Sequence, residues 1–189
     1  MEQFSKMKPK NDFSDNDDEV VFDGDYMKII KYEDWNVIKE KDLIVCIPYL
    51  IQEDKFILRH EYVPSYKMGD NQEYHLTVIS GGIEQGETPE KALFRELEEE
   101  AGIVVRPDYK PEMLKPLFIC KSSSNKYYPC IMVLSENDYH EVVAKGDGSR
   151  EEKLSKSVKV DIKFLKAVNS SDVITDYLIE KLKKVANQQ

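Results

Sequence analysis

Glu96, Glu99 and Glu100 stand at i, i+3 and i+4 in a stretch with no helix breaker between Glu90 and Ala101. At about 100° per residue, that spacing puts three carboxylates on one face of a helix. Like charges so close oppose the helix by about a few tenths of a kcal/mol per pair. A hard divalent cation such as Mg²⁺ or Mn²⁺ reverses the penalty, because it takes oxygen ligands. For the glutamates alone, a solvated acidic face is the plainer account. Their neighbours must decide between the two.

The elements needed to position such a face surround it. Gly81 and Gly82 are adjacent and Gly86 follows, so a tight loop is expected before the helix. Thr88 suits the N-cap, and Pro89 suits the first helical position, where its missing N–H costs nothing. Leu93, Leu97 and Ala101 lie at i, i+4 and i+8 and form a buried stripe, with Phe94 beside it. Gly102 stops the helix.

In this order and spacing, Gly81, Glu87, Arg95-Glu96-Leu97, Glu99-Glu100 and Gly102-Ile103 resemble the complete signature of the Nudix hydrolases. The resemblance implies an α/β (α+β) chain with the Nudix fold, a mixed β-sheet sandwiched between helices. It implies hydrolysis of a nucleoside diphosphate linked to another moiety, with Mg²⁺ or Mn²⁺ as cofactor. By the same resemblance Glu96 and Glu100 are metal ligands, Glu99 is a ligand or base, and the backbone carbonyl of Ser80 completes the site. Gly81, Glu87, Arg95 and Gly102 take structural roles, with Arg95 pairing to Glu87 and pinning the loop to the helix.

The strand Phe56–Arg59 running into His60-Glu61-Tyr62, the loop from Ser80 to Glu87 and a long N-terminal extension resemble one branch of the family. That branch comprises the ADP-ribose and nucleoside-diphosphate-sugar pyrophosphatases. The chain departs from its pattern at Val63, at Thr77–Ser80 and near Phe118–Lys121. In that branch a glutamate on a late loop activates water. The implied candidates are Glu141, Asp147, Glu151 and Glu152, with Glu151 and Glu152 nearest the following strand. His60, His75 and His140 are alternatives by residue type only. Arg59, Lys121 and Lys126 are candidates to hold phosphate. Trp35 is a candidate to stack on a nucleobase, or to fill a core or an interface. Two other functions stay open: hydrolysis of nucleoside triphosphates or capped RNA ends, and nucleotide binding without catalysis. The intact box argues against the second, since a pure binder needs no converging carboxylates.

A length of 189 residues at 41% hydrophobic suits one domain with a full core. The net charge of −9 gives no overall attraction to nucleic acid or anionic membranes. Cys46, Cys120 and Cys130 are odd in number and lack CxxC spacing, so neither a disulfide framework nor a zinc site is indicated. The apolar run Leu43–Ile51 is too short to span a bilayer, and the N-terminus has no apolar signal core. A soluble, cytoplasmic protein is expected. Residues 1–25 are acidic and polar and are expected to be a flexible arm. Residues 26–189 are expected to be one domain that opens with a β-hairpin over Tyr26–Ile38. The resemblance gives that extension a role in homodimerisation and nucleobase contact. Further strands are expected at 43–47, 56–62, 74–79, 113–121, 127–134 and 158–165, and an amphipathic helix at 171–185. Polar loops are expected at 63–71 and 136–155.

Overall fold

The computed structural model describes residues 19–146, 148–168, 170 and 172–186, with the backbone alone at 70, 151 and 152. They fall into two compact units, one of residues up to Glu40 with Cys120–Ser124, the other of the remainder. In the first unit β1 (Glu19–Asp23), β2 (Lys28–Tyr32) and β3 (Trp35–Lys39) form an antiparallel sheet in the order β1-β2-β3. The leading hairpin is present as β2 and β3, with Tyr32 opposite Trp35. Residues 19–23 of the segment expected to be an arm form β1. Val20, Val21 and Phe22 are strand formers between acidic neighbours, and they pair with β2 through a register shift between Val20 and Phe22. Residues 1–18 lie outside the described residues. Segment 120–124 joins this unit because Ile38 donates its N–H to Ser122 O (2.7 Å) and accepts from Ser124 N–H (2.9 Å). Residues 26–40 of the domain expected over 26–189 fall in the first unit.

The second unit runs β4 (Leu43–Leu50), β5 (Lys55–Tyr62), α1 (Pro64–Asp70), β6 (Tyr74–Thr77), β7 (Ile79–Gly82) and α2 (Pro89–Glu96). It continues with β8 (Ile103–Val105), β9 (Tyr127–Leu134), β10 (Tyr139–Glu141), α3 (Arg150–Leu154), β11 (Lys156–Asp161) and α4 (Val173–Ala186). β4 runs parallel to β9 along its whole length. Its other edge is shared, by β7 at Leu43–Cys46 and by β5 at Tyr49 and Leu50, both antiparallel. β5 then takes β6 on that same edge, and β11 on the opposite one. Val78 is where the chain leaves β5 for β4, so the strand expected at 74–79 is two strands. β8 and β10 pair separately.

β4 is buried at every position from Ile44 to Leu50, as a strand covered on both faces must be. Ile44, Cys46 and Leu50 pack with Leu93 and Leu97 on the α2 side. Val45, Ile47 and Tyr49 pack with Leu178 and Leu182 on the α4 side. The expected sheet sandwiched between helices is what forms. On β5, Phe56 and Leu58 join the α4 side and Ile57 the α2 side. The period of two then sends Arg59 to the α2 face, where the glutamates are.

Local differences from the expected elements have local causes. The loop expected at 63–71 contains α1, because Pro64 supplies a ready first position and Asn71, at φ 63°, closes it with an N–H on Lys67 O. The strand expected at 113–121 makes only isolated bridges, Met113 to Cys130 and Leu117 to Tyr127. Pro116 has no N–H to give a ladder there. The long loop at 136–155 holds β10 and α3. β11 runs from Lys156 to Asp161 rather than 158–165, and turns into a 3₁₀ segment at Ile162–Phe164. Among the described residues no helix is long and apolar enough to cross a membrane.

Leu97 has no exposed surface and ties α2 to the sheet. Leu97→Ala should lower unfolding free energy by about 2–5 kcal/mol in a denaturant titration, the usual cost of an emptied leucine site. A loss under about 1 kcal/mol would show that the site collapses freely.

Candidate active site

α2 begins as its sequence dictates. Thr88 is extended (φ −90°, ψ 156°), its hydroxyl oxygen accepts from Lys91 N–H, and Pro89 follows at the first position. The helix expected to run unbroken to Ala101 instead widens after Glu96 into a π turn over Leu97–Ala101. Such turns are rare and frequently lie at functional sites. Gly102 ends it in the left-handed region at φ 65°. A Cβ there would also lie 2.3 Å from Val142 O, so glycine is required on two counts.

Arg95 is the hub of the site. It grips Glu87 with two bonds, Nε to Oε1 (3.1 Å) and Nη2 to Oε2 (3.0 Å), and Nη2 also donates to Gly82 O (2.8 Å). Its Nη1 reaches Glu96 Oε1 (2.5 Å) and Glu99 Oε2 (3.1 Å). The expected pairing of Arg95 with Glu87 is therefore formed, and it fastens loop to helix. The Arg95 hydrogen bond holds the Glu87 carboxyl below the usual carboxylate range, against the opposing effect of burial.

The three glutamates share a helix face but do not converge on one point, and among the described residues no such group is close enough to hold a metal ion. Glu96 and Glu99 turn to Arg95, while Glu100 turns to the sheet. Ser80 N–H donates to Glu100 Oε2 (3.2 Å), and Arg59 Nε lies 3.4 Å from Oε1 without the angle for a hydrogen bond. The Glu100 carbonyl accepts from the Ser157 hydroxyl (2.8 Å) and from Arg59 Nη1 (3.4 Å). Burial pushes the Glu100 carboxyl well above the usual range, Arg59 counters it, and the charges of Glu61 and Glu96 add to it. Glu61, which is not among the expected site residues, shares the Arg59 face of β5 and accepts the Thr77 hydroxyl at 2.5 Å.

In donor chemistry, though not in the spacing of the carboxylates, these residues suit a hard divalent cation. Glu96 and Glu100 are each only 8% exposed, and buried carboxylates need a positive partner. A Cβ on Gly81 would lie 1.9 Å from the Glu96 carboxyl group, so that glycine leaves the space in which Glu96 lies against β7. In a strand a residue's N–H and C=O point to the same edge, which puts the Ser80 carbonyl on the Glu100 side. All the donors are oxygens, the set that Mg²⁺ and Mn²⁺ prefer.

Beside the glutamates lies a cleft of about 500 Å³, lined by Arg59, Glu99, Glu100 and three lysines, Lys145, Lys153 and Lys156. Its loop wall hangs on the end of the glutamate helix: Val142 N–H donates to Gly102 O (2.8 Å) and Gly146 N–H to Glu99 O (3.0 Å). The lysines carry no spacing signal in the sequence that would mark them. Of the acids, Glu141 pairs with Lys159 (2.6 Å). Asp147 and the side chains of Glu151 and Glu152 lie outside the described residues, although α3 carries the last two on its backbone. His60 stacks on Tyr74, His75 meets Tyr66 edge-on, and His140 lies on β10. Trp35, 58% exposed, and Lys121, also exposed, belong to the N-terminal unit, as Lys121 lies in the 120–124 segment.

Arg95→Lys keeps the charge but loses the fork that holds Glu87 and Gly82 together. It should lower stability by about 1.5–3 kcal/mol, the worth of charged hydrogen bonds, and loosen the loop at Gly82–Glu87 to faster amide exchange. Unchanged exchange there would show that the loop holds its shape without the arginine.

A family model described as the NUDIX domain matches residues 41–154. No curated protein matches the chain in sequence. Among solved structures, a crystal structure of an ADP compounds hydrolase superposes with a TM-score of 0.67 at 18% identity, covering 92% of this chain and 94% of that one. At that identity the likeness speaks for the fold. The family model spans most of the chain and takes in the glutamate helix, its glycine loop and the Arg95–Glu87 clasp, so the chain belongs to the Nudix family of hydrolases.

Proposed function

We propose that the chain cuts the diphosphate bond of a nucleoside diphosphate joined to another moiety, ADP-ribose or a nucleotide sugar. The products are a nucleoside monophosphate and the phosphorylated remainder. The observation that supports this most is the buried pair Glu96 and Glu100 beside a cleft lined, among the described residues, by Glu99, Arg59 and three lysines. A cation site then adjoins an anion site. The solved structure of an ADP compounds hydrolase agrees with an ADP-containing substrate.

Nudix hydrolases act on nucleotides with divalent metal ions, and here Glu96, Glu99, Glu100 and the Ser80 carbonyl would hold Mg²⁺ or Mn²⁺. When bound, that ion neutralises diphosphate charge and lowers the pKa of water. Hydrolysis joins the water oxygen to one phosphorus and breaks that phosphorus from the bridging oxygen, which departs with the other phosphate. The proton released goes to a carboxylate: Glu99 on the cleft wall, or Glu151 or Glu152 on α3. Arg59 and the cleft lysines orient phosphate oxygens, with Lys121 a further phosphate candidate. Trp35 contacts the nucleobase or a second copy of the chain. Exposed Val20, Val21 and Phe22 on β1 suit a homodimer contact.

Hydrolysis should stop in chelator, and Glu100→Gln should remove most activity while the circular dichroism spectrum is kept. Full turnover in chelator would overturn the metal assignment. In ¹⁸O-labelled water the label should appear on phosphate in one of the two products. Label on a sugar carbon refutes diphosphate cleavage. If Glu151 or Glu152 is the base, its change to Gln should cut kcat by about 10²–10⁴-fold. Wild-type rates in both variants place the base at Glu99.

A further inference from the structure

Val78 is the single residue between β6 and β7, and it belongs to neither ladder. Thr77 before it lies opposite Arg59 on β5, and Ile79 after it lies opposite Cys46 on β4. Val78 is 2% exposed, so its N–H needs a partner other than water. That partner comes from the helix layer: the Thr175 hydroxyl of α4 accepts the Val78 N–H at 3.2 Å.

Thr175 is fixed for that bond. It has no exposed surface, and its hydroxyl donates to Asp172 Oδ2 at 2.6 Å. A hydroxyl has one proton and two lone pairs, so with the proton on a carboxylate a lone pair is left for Val78. Asp172 is held in turn. Its Oδ2 also accepts Thr175 N–H (2.8 Å), a capping bond, and its Oδ1 accepts the Tyr66 hydroxyl of α1 (3.1 Å). Just before it, the Ser170 hydroxyl donates to Leu76 O on β6 (2.9 Å). The start of α4 thus holds the strand at residues 76 and 78 by directional bonds, in addition to apolar packing.

Ser80 lies two residues beyond Val78, about 7 Å along extended backbone. Its N–H meets Glu100 Oε2 at 3.2 Å, and the next residue, Gly81, lies against Glu96. Val78 is therefore the near end of a short, stiff lever whose far end is the carboxylate site. We propose that Thr175 is a positioning residue for that site and acts through the sheet. Its hydroxyl fixes Val78, and Val78 fixes where Ser80 meets Glu100. Thr175 itself packs on the α4 side, with Val78, while the glutamate helix covers the other face. The proposal rests on Ser80 and Glu100 belonging to the reacting centre, and not on which nucleotide is cut.

The test compares the full native chain with four variants, each held well below its own thermal unfolding. Thr175→Val keeps the shape and removes the acceptor, Thr175→Ser keeps the hydroxyl, and Thr175→Cys offers a weaker acceptor. Leu182→Ala, the control, empties a fully buried site elsewhere on α4. Amide exchange at Ser80 is read by NMR without metal or substrate, and kcat and KM are read for ADP-ribose with Mg²⁺. Thr175→Val should speed Ser80 exchange at least about tenfold relative to amides of β5, the worth of one hydrogen bond to a charged group. It should lower kcat about 10–100-fold, the usual cost of losing an outer support of such a site, with little change in KM. Thr175→Ser should restore both readings, and Thr175→Cys should fall between. Leu182→Ala should lower the melting temperature as far as Thr175→Val does and change neither reading. Should Thr175→Val not fold, the cysteine and serine variants carry the same comparison. Native kcat and Ser80 exchange in the folded valine or cysteine variant, or equal losses in Leu182→Ala, overturns the positioning role. A native chain that does not cut ADP-ribose overturns that substrate, and the exchange comparison alone then decides the proposal.

Discussion

The Arg95 guanidinium is the interaction on which the rest of the site depends. One planar group faces five acceptors: both oxygens of Glu87, one each of Glu96 and Glu99, and the Gly82 carbonyl. It joins the glycine loop, the start of the helix and the carboxylate face into one body. A lysine in its place has the charge but not the fixed fork. Gly81 lies against Glu96, and the pairing of β7 with β4 sets Ser80 where its N–H meets Glu100.

Burial sets the electrostatic character of the site. Two carboxylates lie almost wholly out of water, which is unfavourable unless cations face them. The protein supplies two, Arg95 on the outer side and Arg59 from beneath. Arg59 gets there through strand parity: Phe56 and Leu58 face α4, so Ile57 and Arg59 face α2. Its Nε remains without a hydrogen bond, and Glu100 keeps a raised carboxyl pKa. The arrangement is one of incomplete compensation, suited to a further cation from solution.

The cleft wall depends on backbone rather than on side chains. Val142 and Gly146 donate their N–H groups to carbonyls left exposed at the end of the helix, Gly102 O and Glu99 O. The π turn and the left-handed Gly102 shape that end, so the local helix geometry decides where the loop can dock. Through it Lys145 comes beside Glu99, although the two are far apart in the chain.

The sequence alone determined the parts governed by short-range chemistry. The cap at Thr88-Pro89, the stop at Gly102 and the buried stripe of Leu93 and Leu97 follow from residues within one or two turns of each other. The pairing of Arg95 with Glu87 was implied instead by the family resemblance. The run that became β4 was legible because a strand covered on both faces must be apolar throughout. Tertiary structure decided the rest. A helical wheel assumes a uniform turn, so it could not show the π turn or the split of the glutamates between Arg95 and the sheet. Window composition hid β1, because three apolar residues are outweighed by the acids around them. Lys145, Lys153 and Lys156 had no periodicity to mark them, and Arg59 and Glu61 gained their places only when β5 paired with β11 and β6. Long-range pairing brings these groups together, and nothing in the local order of residues encodes which distant segment a lysine or an arginine will face.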